Sequence, residues 1–196
     1  CCHHHRIKVS PYEVLQLARH RQESTTVLIS KHLVDGVFLR QRPDGACVFL
    51  GEQGCTVHPA RPLVCRVYPL GVHVDVDGQE RFSHLQPHPR SEGRYGTQGT
   101  VDHYLQEQGA RPYMAANDAY LDVLMRLAGV LHREGEGAAA PDTDLLDPDR
   151  MIDRYGPPAT ASERRDPSQA MRLHIVAIEH WITHQARYRA TLQESS

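Results

Sequence analysis

All five cysteines of this 196-residue chain fall in its first third, at Cys1, Cys2, Cys47, Cys55 and Cys65. No other feature limits the possible folds as strongly. An odd number of thiols cannot all close into pairs within one chain, and a chain of this length can build a hydrophobic core without disulfide staples. The expectation is a reducing, cytoplasmic setting with thiols kept for metal. Thiolates are soft ligands that hold zinc or iron–sulfur clusters, and four of them complete either site. In Cys47-x7-Cys55-x9-Cys65, Cys47 falls in a predicted strand. Cys55 and Cys65 fall on turn-rich segments beside glycines and prolines, where backbone amides can point at sulfur. A single cysteine is as readily a small buried hydrophobe. Five gathered in one segment point to metal.

Composition narrows the function classes. The formal net charge is -2, without the basic excess that a nucleic-acid binder gathers on one face. No run of 18 apolar residues is present, so no membrane partner is expected. No charged segment followed by an apolar one opens the chain, which again favours the cytoplasm. The chain starts on Cys rather than Met, and this is read as a trimmed start with further sequence upstream.

The fold class expected is α+β: a small cysteine-rich core with short β-hairpins, followed by a helical C-terminal half. Ser10-Pro11-Tyr12-Glu13 reads as a helix start, with Ser10 as cap, Pro11 in the first helical position and Glu13 closing a capping box. A second helix is expected over Thr25 to Val34, ending near Gly36. Hairpins are expected from Val37–Leu39 to Cys47–Leu50 around Pro43-Asp44-Gly45, and from Val72–Val76 to Arg81–Leu85 around Asp77-Gly78. From Thr100 onward the apolar period is helical, with long helices over Tyr113 to Arg133 and beyond Asp166-Pro167, and a helix start at Asp147-Pro148. Two regions follow, 1–95 around the cysteines and 96–196 packed on it, with a mobile linker near 135–145.

The segment Arg61-Pro62-Leu63-Val64-Cys65-Arg66-Val67-Tyr68-Pro69 bears on the chemistry. Four thiolates around one metal centre carry surplus negative charge, which nearby guanidinium groups and amide dipoles offset. Arg61 and Arg66 are placed for that role. Tyr68, Tyr113 and Tyr120 are read as walls of a core or cleft beside the site. Of the 14 histidines, His58 follows Cys55 by three residues, a Cys-x-x-His spacing that suits chelation. His3, His4 and His5 are adjacent and cannot all face one metal. His174, His180 and His184 on the last helix read as a solvated face, since no metalloprotease motif accompanies them. Phosphate-binding glycine loops, the nucleophile elbow and the kinase motifs are all missing.

Cys-Cys at the start, Ile-x-Val-Ser-Pro-Tyr-Glu, Cys-Val-Phe-Leu, Gly-Cys-Thr-Val-His and Arg-Pro-x-x-Cys-Arg-x-Tyr-Pro together resemble the YkgJ-type cysteine-cluster family, closely from Cys1 to about Leu70. Members are described as zinc- or iron-chelating, or as iron–sulfur oxidoreductases. Relatives described as flagellin lysine methylases share a similar cluster, which implies that some members modify proteins. The resemblance implies a metal set of Cys1, Cys2, Cys47, Cys55 and Cys65, to which His58 is added, with Arg61, Arg66 and Tyr68 around the cofactor. It implies an iron–sulfur cluster, with zinc as the alternative, and a small molecule or a protein as substrate. The chain departs from the family pattern in two places. The first cysteines of the Cys-x-x-Cys-x-x-Cys-Cys signature are absent from this sequence, and no later cysteine follows the arginine-proline motif.

Overall fold

The computed structural model describes residues 2–3, 5–75, 77, 79–87, 96, 98–134 and 143–193, without the side chains of 130–134, 143–144 and 185–193. The architecture is α+β: short antiparallel strand pairs in the N-terminal half, and a C-terminal half that is mostly helical.

Helix α1 (Pro11–Arg21) starts as expected: Ser10 and Glu13 form the capping box, and Pro11 occupies the first turn. It is the central element, because both of its faces are buried. Tyr12 and Leu15 join the core made by the C-terminal helices, whereas Val14, Leu17 and Ala18 join the core of the N-terminal segment. Helix α2 (Thr25–His32) is shorter than the expected Thr25 to Val34. Its last two predicted residues, Leu33–Val34, instead form strand β1, which pairs with β2 (Phe38–Leu39). The turn between them holds both Asp35 (φ 53°) and Gly36 (φ 70°) in the left-handed region. Asp-Gly is therefore a hairpin signal here, not a helix end.

That pairing displaces the hairpin expected around Pro43-Asp44-Gly45. Only a single bridge, Gln41 to Cys47, remains of it. Leu50–Gly51 (β3) pairs with Gly54–Cys55 (β4). A short helix α3 (Leu63–Val67) follows, where irregular chain was expected, so Cys65 is helical. The second expected hairpin forms, but as β5 (Leu70–Val74) and β6 (Glu80–His84), two residues earlier on its first strand and one earlier on its second, with Val72 opposite Phe82 and a longer loop than a two-residue Asp77-Gly78 turn.

Helices α4 (Val101–Glu107), α5 (Arg111–Glu134), α6 (Pro148–Tyr155), α7 (Ala161–Arg165) and α8 (Pro167–Gln193) complete the described chain. Thr100, Asp147 and Thr160 cap α4, α6 and α7. Helix α8 packs on α1, α5, α6 and α7. Polar ties fix the helical half to α1 and α2. Arg19 forms a two-pronged ion pair with Asp149 at 2.5 and 3.1 Å, and Asp149 Oδ2 accepts from the Thr25 amide at 2.8 Å. The linker expected near 135–145 lies mostly on residues 135–142, outside the described residues. No described helix is long and apolar enough to cross a membrane.

Candidate metal centre

Cys2, Cys47, Cys55 and Cys65 line one cavity of about 140 Å³, together with His58, Arg61 and Pro62 and an apolar wall of Ile7, Leu39, Phe49 and Val57. Each cysteine reaches it from a different local structure. Cys2 is held by its carbonyl, which accepts from the Cys47 amide at 2.8 Å. Cys47 sits on the Gln41 bridge, Cys55 on β4 and Cys65 on α3. Cys1 lies outside the described residues. None of the four described cysteines is disulfide-bonded, and all are half-buried.

Glu13 links the site to the fold. Its Oε2 accepts from the Ser10 amide to close the cap of α1, and its Oε1 accepts from the Leu63 amide at the start of α3, both at 2.6 Å. One buried carboxylate thus orients two helix starts. Burial pushes its pKa up, against the opposing pull of the two amides. The capping box made the first role legible in sequence, but nothing near Glu13 signals the second.

The two arginines divide. Arg61 lines the cavity, donating to the His58 carbonyl at 2.8 Å and to Gln108 Oε1 at 2.7 Å. Arg66 turns away into the protein. It donates to the carbonyls of Arg61, Gln108 and Pro59 and to the Tyr113 hydroxyl, and its guanidinium stands 4.2 Å over the Tyr113 ring. Tyr68 accepts through its carbonyl from the Tyr104 hydroxyl at 2.6 Å, and the Tyr68–Pro69 bond is cis. Tyr113 packs edge-on against Tyr12, and Tyr120 lines a separate cleft. Gln108, Tyr104 and Tyr113 thus support the Arg61–Tyr68 segment from the helical half. They lie some 36 to 47 residues further along the chain, beyond the reach of spacing arguments.

Residues 1–88 match the family model CxxCxxCC, described as a putative zinc- or iron-chelating domain. Over these residues the chain is similar to such a domain. No curated protein and no solved structure matches the chain.

The electrostatics of the cysteine cavity suit a cation. Burial pushes the Cys65 thiol up to about 12, and the charges of Cys2, Cys47, Cys55 and Glu13 push in the same direction. Cys47 and Cys55 are also raised, first by burial and then by neighbouring thiolates. These mutual effects are what sulfurs gathered around one cavity produce, and a cation among them would reverse their sign. The amides of Phe49 and Val57, each two residues beyond its cysteine, oppose the rise at Cys47 and Cys55, and Arg61 adds to this at Cys55. The donor set therefore fits a thiophilic metal. As placed, no three cysteine, histidine or acidic groups among the described residues meet tightly enough to share one ion.

The histidines of the last helix do not gather. His174 is fully buried, stacked on Tyr120 with ring centroids 6.0 Å apart. His180 Nδ1 lies 2.9 Å from the Tyr155 carbonyl, and His184 is exposed.

Proposed function

We propose that the N-terminal segment carries an iron–sulfur cluster on the thiolates of Cys2, Cys47, Cys55 and Cys65, with Cys1 adjacent in sequence and His58 at the cavity edge. The observation that carries this reading is the convergence of four cysteines from four separate segments on one cavity. Four cysteine thiolates are the ligand set that iron–sulfur clusters most often take. When bound, the cluster would supply a redox centre, in keeping with an oxidoreductase or protein-modifying role towards a small molecule or a protein in the cytoplasm. The chain's own residues have distinct tasks. The cysteines hold the group, the Phe49 and Val57 amides stabilise thiolate, and Arg61 offsets the surplus negative charge. Arg66 and Tyr68 act one layer further out, by holding the Arg61–Cys65 backbone against α4 and α5. Residues 1–95 form the metal-binding region and 96–196 its helical support.

The second reading is a zinc-stapled structural or interaction module. The apolar wall of Ile7, Leu39, Phe49 and Val57 favours it, since structural zinc sites are closed by protein. Anaerobic purification followed by an absorption spectrum and by iron, sulfide and zinc analysis separates the two. Iron with acid-labile sulfide and visible absorption is expected. A colourless protein with stoichiometric zinc would establish the module instead.

A further inference from the structure

A second cavity also borders α3, through Leu63 and Val64 rather than Cys65. It has a volume of about 470 Å³, inside the roughly 300–1,000 Å³ range of small-molecule sites. Its walls come from the Lys8–Glu13 segment, from Leu63 and Val64 of α3, from the α5 face of Asn117, Tyr120, Leu121 and Leu124, and from Val37 and Leu146. Those four α5 residues recur at helical spacing, so they form one continuous stripe. Val64 and Leu121 are among the large apolar side chains that stand exposed, at 47% and 58%. Both line this one cleft, so the apolar surface they leave exposed borders a cavity of ligand size.

The polar groups of the cleft say what kind of molecule fits. Glu13 has both oxygens engaged by backbone amides. Asn117 does not share that satisfaction, because its Oδ1 is shielded from solvent and has no hydrogen-bond donor among the described residues. A buried amide oxygen without a donor is costly, and a turn of the carboxamide presents it to a donor entering the cleft. Lys8 is exposed at the cleft wall, and no described carboxylate forms an ion pair with it.

We propose that the cleft between α3 and α5 binds a small amphipathic organic anion: an apolar body against Val64, Leu121 and Leu124, a hydrogen-bond donor towards Asn117 and a negative group towards Lys8. This stands independently of the metal reading, since none of the cleft residues is a cysteine.

The probe is anilinonaphthalene sulfonate, which combines an apolar ring system, an N–H donor and a sulfonate. Fluorescence titration of the full chain should show one dye per chain. Leu121→Ser and Lys8→Glu should each weaken binding by about tenfold or more, the effect of losing on the order of one good contact. Leu85→Ser, which changes an exposed apolar residue away from the cleft, should leave binding unchanged. Far-ultraviolet circular dichroism and metal content, compared across all variants, distinguish loss of the cleft from loss of the fold or of the metal. The proposal is overturned if the native chain does not bind the dye, if it binds many dyes per chain, or if Leu121→Ser and Leu85→Ser bind it equally.

Discussion

Arg61 and Arg66 flank the same cysteine, and their chemical type does not separate them. Their surroundings do. Arg66 is buried and satisfies three carbonyls and a phenol through a planar, forked group. A lysine ammonium has a single point of charge and cannot reach all of them. Arg66→Lys is therefore expected to cost about 2 kcal/mol or more of unfolding free energy, as for other broken buried networks, measured by urea denaturation. Arg61→Lys keeps a charge at the cavity and should leave stability within about 0.5 kcal/mol, while weakening metal retention against a competing chelator. If the two variants swap these effects, the assignment of brace and cavity residue is wrong.

His174 makes a pH prediction at the same scale. Its ring is fully buried, neither nitrogen makes a well-formed hydrogen bond among the described residues, and burial pushes its pKa down to about 3, with the Leu145 carbonyl and Asp149 pulling the other way. An unfolded histidine titrates near 6.5. Below that value the unfolded chain takes up a proton that the folded core refuses. The stability linked to His174 is therefore complete above pH 6.5 and is lost as pH falls from there towards 3, at up to about 1.4 kcal/mol per pH unit. His174→Leu should flatten the profile between pH 6.5 and 5, a range above most carboxylate titrations. An unchanged slope in urea unfolding across that range would count against the assignment.

At the scale of elements, the start of α6 shows how a cap becomes a tether. Asp147 Oδ1 accepts from the Arg150 amide, as an N-cap does, and also from the Thr25 hydroxyl, while its Oδ2 accepts from Thr26. An ordinary cap is worth about 0.5–2 kcal/mol. Asp147→Ala should exceed that range, because it also leaves two threonine hydroxyls of α2 without their acceptor. Thr26→Ala, which removes a single link, should cost about 1 kcal/mol. Equal losses for the two variants in thermal or chemical unfolding would show that the tether adds nothing.

Element starts were the most legible part of the sequence, for a local physical reason. Ser10, Thr100, Asp147 and Asp166 each announce a helix through a side chain that serves amides within three residues. Strand pairing was less legible. Asp35-Gly36 and Pro43-Asp44-Gly45 are both adequate turns, and the winner depends on what Phe38 and Leu39 gain by pairing back to Leu33 and Val34, a choice made by the core. Helix α3 was invisible because its start is capped by Glu13, 50 residues earlier. The four described cysteines were legible as a group through their chemistry. Their division of labour with Gln108, Tyr104 and Tyr113 was not, since these approach from the helical half only after folding.

For the whole molecule, the cysteine cavity borders the core that contains Val14, Leu17 and Ala18 of α1, so binding there and folding are linked. A metal held only by the folded state adds its binding free energy to stability. Removing it by chelation under anaerobic conditions should lower the unfolding midpoint. Cys65→Ser should do the same, with the metal lost during preparation. If Cys65→Ser keeps its metal and its midpoint, Cys65 is a packing residue.

Helix α3 has only five residues, too few to hold its shape without neighbours. Val64 faces the amphipathic cleft and Cys65 the thiol cavity, one peptide bond apart. The helix is a thin partition between two chambers, hung at one end from Glu13 and pinned at the other by Arg66. A guest pressing on Val64 is expected to shift the sulfur next to it, so that any colour the thiol chamber carries should report on what fills the neighbouring chamber.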